Sequence, residues 1–219
     1  MMITEYEEFV QLVKKYRIFP FAELAPEHPA LTVVTEGSAW HTEQATDPWL
    51  WRIRIAQEGV AAYGRFFGTK ASFIDSALYP AVRTILTGNR SVRDLFEAGS
   101  MSRAAHRIYG ILSEQGNTDS RQLRKEAELD AKEDKKEYDK ALNELQSGGY
   151  IVITGSAKQK ESWSSMCYQT SDSWIRSVLG DVRQLSAEEA KAEVGQAIGP
   201  VCSEKAFAYF AKKLGLATR

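Results

Sequence analysis

The stretch from Ser102 to Thr170 constrains the fold most, because its successive segments have the spacing of three helices and then two strands. Ala105, Ile108, Tyr109 and Leu112 recur at i, i+3, i+4 and i+7, one apolar stripe on a helix that Gly116 stops. Asn117, Thr118 and Asp119 offer turn and N-cap oxygens, and Arg121 to Ala127 reads as a short second helix with Leu123 and Ala127 inward. Tyr138, Ala141, Leu142 and Leu145 repeat the helical spacing in a third, closed by Gly148 and Gly149. Tyr150 to Thr154 is too short and too β-branched for another helix, and Ser164 to Thr170 offers a second strand after the polar loop from Gly155 to Trp163. Three helices followed by a hairpin is the order of a winged helix-turn-helix module.

Charge decides what such a module can do. The chain carries a formal net charge of −1, and from Ser102 to Thr170 there are eleven basic and eleven acidic residues. No global cationic field exists, so contact with nucleic acid has to use a local patch. On the third helix Lys132, Lys136 and Lys140 recur at i, i+4 and i+8 with Asn143 next on that face, a candidate reading edge for double-stranded DNA. Arg121, Arg124 and Lys125 on the second helix, with Lys158 and Lys160 in the wing loop, stand where such folds meet the phosphate backbone. The same helix carries Glu133, Asp134, Glu137, Asp139 and Glu144, and the alternative is a solvated face laced by Glu133–Lys136 and Glu137–Lys140 pairs. On that alternative the module contacts a protein.

Ahead of the module, Thr4 with Glu7 makes a capping pattern and Phe9, Leu12, Val13 and Tyr16 a helical stripe, which predicts a helix over Glu5 to Tyr16. Prolines at 20, 26 and 29 make Ile18 to Ala30 an extended connector, and Leu31 to Thr35 reads as a short strand. Trp49, Trp51, Ile53 and Ile55 alternate with Leu50, Arg52 and Arg54, the pattern of a strand with one apolar face. Val60 to Phe67 and Ala71 to Ile74 form a hairpin pattern around Gly68-Thr69-Lys70, so a small antiparallel sheet is expected in the N-terminal half. Helices are expected from Asp75 or Tyr79 to Leu86 and, capped by Ser91 and Asp94, from Val92 to Ala98. Beyond the hairpin come a helix over Asp172 to Leu179, a second from the Ser186/Glu189 capping box to Gly199-Pro200, and a last one capped by Ser203 with Phe207, Phe210 and Leu214 on one face. The expectation is an α+β, mainly helical chain: an α+β region over 1–100, a winged-helix domain over 101–171, and C-terminal helices over 172–219 that pack on the rest.

The aromatic run holds the second set of candidates. His41, Asp47, Trp49, Trp51 and Arg52 can line a pocket in which a ring stacks on indole while Arg or Asp fixes its polar edge; the alternative is that the tryptophans are core and Asp47-Pro48 a turn. His28 and His106 have no nucleophile or metal partner at a recognisable spacing, and Cys167 and Cys202 lack the pairing of a disulfide framework or zinc site, which makes them two small buried residues. Phosphate-loop, dinucleotide, serine-hydrolase and zinc-protease patterns are absent, so no metal and no cofactor is expected. No apolar run of membrane-spanning length occurs, and the acidic N-terminal residues lack a signal core, which reads as a cytoplasmic chain with no membrane partner.

Several stretches together resemble the bacterial AlkZ-related proteins, relatives by name of a winged-helix alkylpurine DNA glycosylase. They are Thr46 to Arg52 (TDPWLWR), Ala62 to Phe67 (AYGRFF), Phe73-Ile74 with Tyr79-Pro80, Arg107-Ile108-Tyr109, and Tyr138 to Gln146 (YDKALNELQ). The resemblance implies a winged-helix protein linked to DNA or base repair. The glycosylases resemble one another in a Gln-x-Gln or Gln-x-Asp motif that handles the attacking water, and no glutamine here has Gln or Asp two residues on. No catalytic residue carries over. The expected function is therefore a DNA-binding protein, regulatory or repair-associated, without glycosylase activity of its own. The alternatives are a non-catalytic protein-interaction module and an enzyme on nucleobases or DNA centred on the aromatic run.

Overall fold

Local signals place most of the helices. The computed structural model describes residues 2–157 and 165–217. Helix α1 (Tyr6–Tyr16) starts where the Glu8 carboxylate accepts the backbone N–H groups of Thr4 and Glu5, so Glu8 rather than Glu7 closes its cap. The Ser91/Asp94 and Ser186/Glu189 boxes form as expected. After α1 come β1 (Ile18–Pro20), the one-turn helix α2 (Leu31–Val34), α3 (Pro48–Gln57), β2 (Ala61–Gly64), β3 (Ser72–Asp75), α4 (Tyr79–Thr87) and α5 (Val92–Glu97). Then follow α6 (Arg103–Gln115), β4 (Thr118–Asp119), α7 (Ser120–Glu126), α8 (Lys135–Ser147), β5 (Ile151–Ala157) and β6 (Ser165–Thr170). The chain ends in α9 (Ser171–Leu179), α10 (Ala187–Ile198) and α11 (Glu204–Leu214).

Among the described residues one antiparallel sheet of six strands runs in the order β1-β3-β2-β5-β6-β4. The N-terminal strands and the β5–β6 hairpin join through the pairing of Tyr63 with Ile153. Strand alternation sends successive side chains to opposite faces. Phe19, Phe73, Tyr63, Ile151 and Ile153 enter a core with α1, α3, α6 and α8. Ile18, Ile74, Ala62 and Val152 enter a second core with α4, α9, α10 and α11. The result is an α+β protein with its sheet between two helical layers.

Two expected strands are helical instead. Leu31 to Val34 makes a single turn that buries Leu31 and Val34. The tryptophan run is α3: Asp47 caps it by accepting the Trp49 N–H, and Pro48 fits the first turn, where no N–H is needed. Helical geometry puts Trp51 and Ile55, four apart, in the core, whereas strand geometry would have put Trp49 there too. Trp49 is instead 38% exposed. Part of the predicted connector is also a strand, because Ile18–Pro20 pairs with β3 at the sheet edge, where a proline is tolerated. Cys167 and Cys202 are half-buried rather than buried.

Candidate functional site

A row of cross-strand partners forms the floor of a pocket. Tyr63 on β2 faces Ile153 on β5, and Ile153 faces Tyr168 on β6. Over this row α3 supplies Trp49 and Arg52, three residues apart on one helical face, and the end of α8 supplies Gln146. Phe21, Arg65 and Lys70 complete the rim of a cavity of about 410 Å³. The described lining includes three cationic side chains, Arg52, Arg65 and Lys70, and no carboxylate.

Of the three cations Arg52 is the buried one. It is 6% exposed, its guanidinium lies 3.6 Å from the ring centroid of Trp49, and Nη1 reaches the Met166 thioether at 3.9 Å. Its Nε is buried without a hydrogen-bond partner. Gln146, by contrast, is satisfied: Oε1 accepts the Arg65 N–H and Nε2 donates to the Leu142 carbonyl, which ties the end of β2 to α8. Lys70 donates to the Glu23 carbonyl. Burial pushes the Tyr168 phenol up to about 12, against the opposing charge of Arg65, so it remains a protonated hydrogen-bonding group at neutral pH.

Of the aromatic-run candidates, Trp49 and Arg52 line this pocket and the other three do not. Trp51 is core, donating its indole N–H to the Ala45 carbonyl and stacking on Phe9 at 6.1 Å. Asp47 is 1% exposed and acts as an organiser. Its carboxylate accepts backbone N–H groups from His41, Glu43 and Trp49. His41 and Glu43 both have left-handed backbones, at φ 59° and 61°, and the Asp47 oxygens offset that strain. The His41 ring packs on Trp49 at 4.9 Å. Phe21, Tyr63, Arg65, Gln146 and Tyr168 are not among the site residues expected from the sequence, since only strand register and long-range packing bring them to one place.

The DNA-contact candidates are spread more widely. Lys136 and Lys140 stand exposed one turn apart on α8, and neither forms an ion pair among the described residues. The observed pair on this helix is Lys135–Asp139, not Glu133–Lys136 or Glu137–Lys140. Lys132 lies in the turn before α8, which starts at Lys135, so the expected three-lysine face reduces to two. Asn143 is half-buried, with Oδ1 lacking a partner. Arg124 is committed to structure, donating to the carbonyls of Leu129 and Ala131 and thereby fixing the link from α7 to α8. Arg121 and Lys125 are exposed on α7, and Lys158 and Lys160 lie outside the described residues. Among the described residues no three His, Cys, Asp or Glu side chains cluster as metal ligands, and no helix is long and apolar enough to cross a membrane.

A family model described as AlkZ related matches residues 3–215. The chain belongs to the AlkZ-related family. No curated protein and no solved structure matches it. In this AlkZ-related chain, three of the stretches that carry the resemblance meet at the pocket: Thr46 to Arg52 brings Trp49 and Arg52, Ala62 to Phe67 brings Tyr63 and Arg65, and Tyr138 to Gln146 brings Gln146.

His28 sits away from this pocket, in a structural role. Nε2 donates to the Ile18 carbonyl at 2.8 Å, Nδ1 faces the Cys202 thiol at 3.8 Å, and the ring packs edge-on against Tyr16 and Phe210. Burial lowers its pKa, the Ile18 hydrogen bond opposing, so the folded chain binds fewer protons than the unfolded one. The resulting stability is complete above the unfolded value of about 6.5 and is lost as pH falls through the lower folded value. Urea midpoints measured from pH 7.5 to 5 are expected to fall, and to fall less steeply in His28→Gln. Equal slopes for the two proteins would rule this out.

Proposed function

We propose that this AlkZ-related protein is a winged-helix DNA-binding protein, repair-associated or regulatory, with α6, α7 and α8 as the helices and β4, β5 and β6 as the sheet of the module. The observation that carries this reading is α8, which presents Lys136 and Lys140 to solvent, unpaired among the described residues, while its other end borders the cation-lined pocket. Lys136 and Gln146 are ten residues apart, about 15 Å along a helix axis, so duplex and pocket can be engaged together. The third-helix lysines meet phosphate, and the family relation supplies the link to DNA repair. Base excision is not part of the proposal, since the paired-glutamine motif is missing.

Fluorescence anisotropy on a labelled duplex tests it. Affinity is expected to fall with salt, and Lys136→Glu/Lys140→Glu to weaken binding and to reduce the salt slope by about 2, one for each phosphate no longer neutralised. Absence of binding at low salt would transfer the module to a protein-contact role.

A further inference from the structure

The guanidinium of Arg52 is a cation without an anion. It is 6% exposed, its Nε has no partner, and among the described residues no carboxylate oxygen lies within 4.0 Å of it. The Met166 sulfur is a weak acceptor and the Trp49 ring offers only its π face. A buried charge left in this way is strongly disfavoured unless something completes it. The cavity it borders has Arg65 and Lys70 on the same wall system and no described carboxylate, so the missing partner is an anion brought from outside.

The cavity's size and lining narrow the class. At about 410 Å³ it is far larger than a bare inorganic ion requires, and its apolar lining includes four aromatic side chains, Phe21, Trp49, Tyr63 and Tyr168, beside Ile153 and Met166. Planar guanidinium groups pair with phosphate through two parallel N–H donors, and aromatic side chains take a base by stacking. We propose that the pocket between α3 and α8 binds a phosphate-bearing nucleotide, the phosphate paired to Arg52 and the base against the aromatic rim. The choice of a nucleotide over another aromatic phosphate rests on the DNA reading above; the need for an anion does not. A free mononucleotide and the phosphorylated end of a DNA strand carry this same chemistry.

Isothermal titration of the full chain with dAMP, deoxyadenosine and inorganic phosphate tests the assignment. We expect dAMP to bind at least tenfold more tightly than either of the others, and Arg52→Met to lose that advantage. Arg52→Met is also expected to melt a few degrees higher than the native chain without ligand, because it removes an uncompensated buried charge at similar volume. A merely structural arginine would give the opposite sign. Oligonucleotides with and without a 5′-phosphate identify the source: a tenfold preference for the phosphorylated end, lost in Arg52→Met, points to a DNA end, and equal binding beside tight dAMP binding points to the free nucleotide. The proposal is overturned if deoxyadenosine or phosphate binds as well as dAMP, if Arg52→Met keeps dAMP affinity, or if it melts lower. Duplex binding of Lys136→Glu/Lys140→Glu run in parallel separates this result from failure of the DNA reading, since the pocket lies at the other end of α8.

Discussion

Asp47→Ala is expected to lower stability by about 2–4 kcal/mol and to abolish binding at the pocket. The side chain is nearly inaccessible and accepts three backbone N–H groups, those of His41, Glu43 and Trp49. Alanine removes the N-cap of α3 and at once frees His41 and Glu43 to leave their left-handed backbones. The loop then opens, His41 moves off Trp49, and the wall bearing Trp49 and Arg52 loses its anchor. Asp47→Asn keeps one oxygen to cap Trp49 and hold His41 but sets an NH2 donor against the Glu43 N–H, and is expected to lose about half as much. Urea unfolding of the three proteins checks the order; an Asp47→Ala chain as stable as the native one would show that the loop is held by other contacts.

Trp51→Ala and Trp49→Ala are expected to have opposite profiles although the residues are two apart. Trp51 is 1% exposed, stacks on Phe9 and donates to Ala45, so truncation leaves a large cavity and removes that hydrogen bond, at about 3–5 kcal/mol. Trp49 is exposed and covers Arg52, so its removal costs about 1 kcal/mol or less but takes away part of the aromatic rim. Thermal melts alongside dAMP titration distinguish the two: the first variant is unstable, the second stable and deficient in binding. Equal destabilisation would place both rings in the core.

The contrast between these two tryptophans marks the limit of the sequence. Trp49, Trp51, Ile53 and Ile55 fit a strand, and Trp51 with Ile55 fits a helix equally well. Asp47 and Pro48 are helix-start signals, yet the same pair also suits a turn. Packing resolved the ambiguity, because only a helix buries Trp51 and Ile55 against Phe9 while leaving Trp49 and Arg52 over the sheet. At the sheet, the β2–β3 hairpin was legible from the turn residues Gly68-Thr69-Lys70, and the β5–β6 hairpin from a short β-branched segment before a polar loop and a second short segment after it. Their union through Tyr63 and Ile153 was not, since pairing across such a sequence separation leaves no local signal.

The chain's own sequence determined where several of the helices begin and which face each of them buries. Ser91, Ser186, Ser203 and Asp119 cap the helices that follow them, and the apolar stripes of α6, α8 and α11 are the faces they bury. These depend on neighbours within one turn, which the sequence records directly. Tertiary structure alone decided that the two hairpins share one sheet, that the tryptophan run is a helix, and that Trp49, Arg52, Tyr63 and Tyr168 converge on one cavity. Each of those outcomes depends on which distant surfaces exclude water from one another, a property of the folded chain as a whole.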